Sequence, residues 1–314
     1  MKPIAILFLA SLGVPALACF AVSSKKEPVV LADEKILTIW DAGSGTQHLI
    51  REASFQGKAK KFGFIVPTPT VPTVAEAKNE VFSHLMKYVQ SSPMGGALGG
   101  SGLPTLRYKP KPVEVIATYE VGDYEATVLK AAEGEAVHKW LKDNRFDTTE
   151  AQATWLDGYA RRSWYFTAIK FAKEAKQGDQ THAIRISWKT DKPFHPFSMP
   201  RDAWPKNGKK SMALFFLTTG YPAARYAGTE IPWEATRYSA AQLNKKSLDD
   251  LAAQAGIDRS LLPVEEAQMT PFINTDNAAG FGRDVEFSVT LPNINIAKSD
   301  SQLSLSRLFQ PLIR

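Results

Sequence analysis

The sequence predicts an α+β fold: mainly antiparallel sheets built of hairpins, with helices packed on them, in two closely packed subdomains. Three observations point there. Paired apolar runs meet at glycine-containing turns twice, residues 36–41 with 46–51 around Gly43-Ser44-Gly45, and 113–120 with 124–131 around Gly122-Asp123, which is the pattern of β-hairpins. Stretches with helix-start residues and apolar spacing of three and four lie after the hairpins. One run, Met-Ala-Leu-Phe-Phe-Leu-Thr at 212–218, is apolar on both faces, as a central strand must be.

In chain order, residues 29–32 read as a short strand, followed by a polar turn at Asp33-Glu34. If the first hairpin is centred on Ser44-Gly45, Asp41 faces His48 and Ile39 faces Ile50. The other face then sets Trp40 opposite Leu49 and Thr38 opposite Arg51. Both faces are partly apolar, so the hairpin belongs inside a sheet. Residues 62–67, with Phe62, Phe64 and Val66 on one face, form a third strand that Pro67 stops, because proline donates no ladder hydrogen bond. Thr73 with Glu76 resembles a capping box, and Val74, Ala77, Val81, Leu85 and Tyr88 form a stripe, which predicts a helix over 73–90.

Residues 91–112 are rich in glycine, proline and serine and lack an apolar period. They read as a linker or long loop between an N-terminal hairpin and helix part, 19–90, and a main α+β part, 113–291. The second hairpin opens that main part. A helix over 135–142 ends at Asn144, and a helix capped by Asp147 or Thr148 runs to Leu156. Strands follow at 164–171 and 183–188, the second with Arg185 and Ser187 pointing away from Ile184, Ile186 and Trp188. Pro193, Pro196, Pro200 and Pro205 forbid regular ladders over 194–206. Ser239 and Ser247 begin helices, the second ending at Ala255 with Gly256 as its cap. Residues 285–291 alternate as a last strand, and 292–314 form a tail.

The chain has 314 residues, 44% hydrophobic and 22% charged, which excludes a disordered chain and a membrane bundle. Its formal net charge of +6 is scattered over the sequence. Such a surface suits an anionic envelope polymer as partner, or another envelope protein. No long basic run or nucleic-acid motif is present. Residues 1–18 read as a signal peptide: Lys2, an apolar stretch over 4–14, and the small-x-small site Ala16-Leu17-Ala18. Cleavage after Ala18 makes Cys19, the single cysteine, the first mature residue and excludes an intrachain disulfide. The expected location is periplasmic or extracellular. Ala-Leu-Ala-Cys is close to a bacterial lipobox, so a lipid anchor at Cys19 is the alternative. No stretch of the mature chain is long and apolar enough for a transmembrane helix.

Asp41 and His48 are the candidate catalytic pair, a carboxylate holding an imidazole in one tautomer as a general base requires. The competing reading is an ordinary cross-strand polar pair. Trp40, Arg51 and Tyr159 are the candidate ligand-binding residues. Tyr159 belongs to an aromatic group with Trp155, Trp164, Tyr165 and Phe166 that suits either a core or a sugar platform. The sequence holds no His-Glu-x-x-His, no paired Cys-x-x-Cys and no Gly-x-Ser-x-Gly elbow. Its five histidines lie on separate elements, so no metal and no cofactor is expected. The expected function is that of an exported cell-envelope protein, a binding or structural module with no catalytic motif. The alternative is an envelope-directed hydrolase using Asp41 and His48.

Trp40-Asp41, then Thr-Gln-His-Leu-Ile-Arg at 46–51, then Phe-Gly-Phe-Ile-Val-Pro-x-Pro-x-x-Pro at 62–72 resembles a family of exported bacterial proteins with a domain of unknown function. Trp140-Leu141, an Asp157-Gly158-Tyr159 turn before the aromatic strand, and His195-Pro196-Phe197 fit the same pattern, which spans about residues 19–225. The resemblance implies export and an α+β domain and implies no activity. Members of that family often carry cysteines near the mature start and sometimes a C-terminal membrane anchor, whereas this chain has one cysteine and no such anchor.

Overall fold

The computed structural model describes residues 21–23, 29–57, 62–90, 93–94, 112–171, 182–204, 211–274 and 282–291. The signal stretch, Ala18, Cys19, most of 91–112 and the tail lie outside them. In chain order the elements are β1 (Ala21–Ser23), β2 (Val29–Asp41), β3 (Thr46–Gly57), β4 (Phe62–Thr68), β5 (Thr73–Ala77), α1 (Glu80–Leu85), β6 (Pro93–Met94), β7 (Glu114–Val121), β8 (Tyr124–Lys130), α2 (Gly134–Asp143) and α3 (Glu150–Ala160). Then come β9 (Tyr165–Phe171), β10 (Ala183–Lys189), β11 (Phe194–His195), β12 (Ser211–Thr218), β13 (Tyr221–Tyr226), β14 (Thr236–Tyr238), β15 (Ala241–Asn244), α4 (Lys245–Ala255), β16 (Glu266–Asn274) and β17 (Val285–Thr290).

The β2–β3 hairpin lies at the heart of a nine-stranded sheet of order β5-β10-β3-β2-β12-β16-β14-β6, with β15 also paired to β16. All of its pairings are antiparallel except β2 with β12. A five-stranded antiparallel sheet, β1-β4-β9-β8-β7, packs on one face, together with a small sheet β11-β17-β13. The predicted α+β class is what the structure has. Among the described residues no helix is long and apolar enough to cross a membrane.

Alternation along the central strands separates two cores. Ile36, Trp40, Leu49, Ile186, Trp188 and Phe216 point to the second sheet, on the side that carries Phe64; Leu129 and Phe166 on that sheet's far face and the inner residues of α2 and α3 continue the same core. Leu37, Ile39, Ile50, Phe215 and Leu217 point the other way, beneath Val81, Phe82 and Leu85 of α1 and Leu248 and Leu251 of α4. Strands from before and after residues 91–112 pair directly in both large sheets, β4 with β9 in one, and β5 and β3 with β10 and β2 with β12 in the other. The 19–90 and 113–291 parts are therefore joined by hydrogen-bonded ladders as well as by packed faces.

Several local expectations are corrected. The first hairpin pairs Asp41 with Thr46, Ile39 with His48, Thr38 with Leu49 and Ile36 with Arg51. Residues 42–45 form the loop, so the register differs by two from the one expected; a shift of two preserves each residue's face. Asp33-Glu34 is no turn: β2 runs through it with an irregularity between Leu31 and Asp33. Residues 73–77 are a strand on the edge of the sheet, paired with β10, and the helix starts only at Glu80. There Asn79 Oδ1 accepts from the Ala183 N–H at 2.5 Å, tying the junction to β10. Thr149 caps α3 in a capping box with Gln152. The helix continues through Asp157-Gly158-Tyr159, and the chain reverses at 161–163 instead. Residues 241–244 are a strand, and Asn244 caps α4 through the Ser247 N–H at 3.0 Å. Gly256 ends that helix with φ +61, as expected for a left-handed cap.

Candidate functional site

His48 stands on β3 and faces the helix-covered side of the sheet. Register places it beside Ser187 of β10, and His48 Nδ1 lies 2.7 Å from Ser187 Oγ. Both residues are buried. Burial pushes the His48 imidazole down to about 4; the positive charges of Arg185 and Lys189 add to this and Asp41 opposes it. The ring is therefore neutral near pH 7. Ser187 was not among the sequence candidates, since β10 is distant in the chain and only the sheet register joins them.

Asp41 is on the same face, diagonal to His48 and at the mouth of the hairpin. Its Oδ1 accepts from the N–H groups of Gly43 at 2.9 Å and Ser44 at 3.3 Å. The Ser44 side chain and these two N–H groups hold the carboxyl below its usual range against partial burial, with His48 contributing least. Asp41 thus fixes the turn and touches the imidazole only through space. Ser187 sits in mid-strand between β3 and β5, so its neighbouring backbone groups belong to ladders. A nucleophile needs N–H groups aimed at the developing oxyanion, and this regular strand directs its own to sheet neighbours.

The remaining candidates lie elsewhere. Arg51 points to the opposite face, with Nε 2.6 Å from Glu34 Oε1 and side-chain exposures of 2% and 1%. Its guanidinium stacks 4.4 Å over the Phe64 ring, bridging the two large sheets. Trp40 is buried in the same core. Tyr159 is buried on α3, 4.7 Å from Trp155 and 5.4 Å from Trp164 between ring centroids. Its hydroxyl donates to Asp284 Oδ1 at 2.7 Å, which also accepts from the Ser198 N–H at 3.1 Å. Burial raises both Asp284 and, well above its usual value, Tyr159. This pair clamps α3 to the small sheet. Among the described residues no group of three histidine, cysteine, aspartate or glutamate side chains is placed to hold a metal ion.

The structure therefore brings together Asp41 and His48, adds Ser187 and Arg185, and sends Trp40, Arg51 and Tyr159 into the interior. Residues 14–288 match a family described as an uncharacterized protein conserved in bacteria, DUF2330. The chain belongs to DUF2330. The Trp-Asp, Thr-Gln-His-Leu-Ile-Arg and Phe-Gly-Phe-Ile-Val-Pro signature falls inside the DUF2330 match, on β2, β3 and β4. That signature is thus the sequence of the central hairpin and of the strand lying across it. No curated protein matches the chain. The crystal structure of baculovirus P35 is similar to this DUF2330 chain at 10% identity and a TM-score of 0.40, over 85% of this chain and 98% of that one. A likeness of that size carries no argument about function.

Proposed function

We propose that this DUF2330 chain is an exported cell-envelope protein that works as a binding or structural module, released into the periplasm or medium after cleavage before Cys19. The observation that carries the reading is how the polar candidates are used. Asp41 holds a turn, Arg51 joins two sheets, Tyr159 anchors a helix, and His48 and Ser187 satisfy each other within a ladder. The signal-like residues 1–18 support export, and the basic composition suits an anionic envelope polymer as partner.

The test has two arms. Fractionation of the producing bacterium, with intact-mass analysis of the purified chain, should find the 19–314 mass outside the cytoplasm. A full-length cytoplasmic mass would end the export reading, and a mass heavier by a diacylglyceryl and an acyl group would make it a lipoprotein. Cosedimentation with isolated envelope should retain the protein, while peptide, ester and glycan substrates should remain intact. The 2.7 Å contact of His48 with Ser187 is the one feature that favours a hydrolase. Turnover that disappears in both His48→Ala and Ser187→Ala would replace the binding reading with that one.

A further inference from the structure

We infer that Arg185, with Ser187 and His48, forms a binding site for a single oxyanion group, a carboxylate or a phosphate. The inference rests on the binding-module reading and names its ligand class. Arg185 lies on β10 two residues before Ser187, on the same face, and is half-buried. Among the described residues its guanidinium makes no hydrogen bond and no ion pair, and its Nε is fully enclosed. A guanidinium cannot shed its proton to escape such a position, and an enclosed cationic donor without an acceptor costs free energy.

Other cations on the central strands differ. Arg51 has Glu34 at 2.6 Å, and Lys35 has Glu52 at 2.6 Å. Lys189, also on this face of β10, donates to Ser44 O and Thr46 Oγ1, both at 2.8 Å. The carboxylates that act on this region are committed elsewhere. Asp258 attracts Arg185 only through space, and its Oδ1 accepts from the Ser260 N–H at 2.8 Å. Asp41 is held by the hairpin turn.

The donors next to Arg185 suit an oxyanion. In the His48–Ser187 pair one group donates the hydrogen bond and the other accepts it, which leaves either the Ser187 O–H or the His48 Nε2–H to donate outward. Together with the planar fork of arginine this makes a charged and a neutral donor side by side, the set that recognises carboxylate and phosphate oxygens. A free anion and one residue of an anionic polymer present the same chemistry.

The experiment titrates the mature chain, labelled at histidine, with inorganic phosphate, acetate and long-chain polyphosphate, following the His48 ring by NMR. The expected result is a saturable shift and a rise in the pH at which His48 titrates, since a bound anion favours imidazolium. Arg185→Gln should weaken binding at least tenfold, and Arg185→Lys, which keeps charge without the fork, should fall between. Tighter binding of polyphosphate than of phosphate assigns the site to a polymer; equal binding per site assigns it to a free anion. No saturation with any of the three, or saturation unchanged in folded Arg185→Gln, overturns the inference. If wild type still cosediments with envelope in that case, the binding-module reading stands and only this site is lost.

Discussion

Replacing Arg51 by methionine probes the joint between the two large sheets. Methionine keeps an unbranched chain against Phe64 but removes the guanidinium 2.6 Å from Glu34. Taking one partner from a buried ion pair costs about 3–5 kcal/mol, because the other charge stays in a poorly solvated place. The lost stacking over Phe64, at 4.4 Å, adds about 0.5–2 kcal/mol. Against a total stability on the order of 5–15 kcal/mol, Arg51→Met should lower the midpoint of urea unfolding severely. Adding Glu34→Gln removes the isolated charge and should recover at least half of the loss, giving a coupling of about 2 kcal/mol or more in a double-mutant cycle. If Arg51→Met alone unfolds within about 1 kcal/mol of wild type, the pair is hydrated, and Arg51 would again be available to a ligand.

Four other outcomes follow from the same geometry. His48 should make stability pH-dependent: its proton affinity is depressed from 6.5 to about 4 on folding, so the stability it contributes is complete above pH 6.5 and lost as the pH falls toward 4. The loss is at most about 3 kcal/mol, and His48→Gln should flatten the difference in that window. Gly134→Ala should destabilise by about 1–3 kcal/mol, because a Cβ there would meet the Asp157 backbone and come within 2.6 Å of Ala153 O, forcing α2 from α3; thermal melting reads this. Ser163→Gly should raise the melting temperature by relieving a φ of +58, worth about 1 kcal/mol. Proteolytic cleavage within 91–112 should leave fragments that coelute on size exclusion, since both large sheets take strands from each side of the cut.

What could be read in the sequence was what depends on neighbours in the chain. The faces of β2 and β3 follow from alternation, so Ile36, Trp40 and Leu49 fell on one side and Leu37, Ile39 and Ile50 on the other. Pairing across the hairpin depended on loop length, which one glycine cluster left open by two residues. Residues 73–77 carry Ala and Glu, which favour helix, yet the free edge of β10 drew them into a strand. The site depended most on distant partners. Ser187 meets His48, and Tyr159 meets Asp284, through sheet register and helix docking that no local spacing encodes. Polar Asp33-Glu34 reads locally as a turn, which hides Glu34 as the partner of Arg51 although the two lie close in sequence.

The parallel pairing of β2 with β12 has a consequence for how the chain reaches its native state. Asp33 is matched with Ser211 and Ile39 with Leu217, so the middle of the central sheet closes only after the greater part of the chain is available. Until then one edge of the β2–β3 hairpin presents unsatisfied backbone groups and apolar side chains on both faces, a template for pairing with another molecule. Residues 112–171, with their own hairpin and helix pair, need no such wait. A ribosome or a translocon that delivers the chain from its N-terminus therefore releases the most aggregation-prone hairpin first and its partner strand late. Yield of folded protein should depend on whatever shields residues 29–57 in that interval.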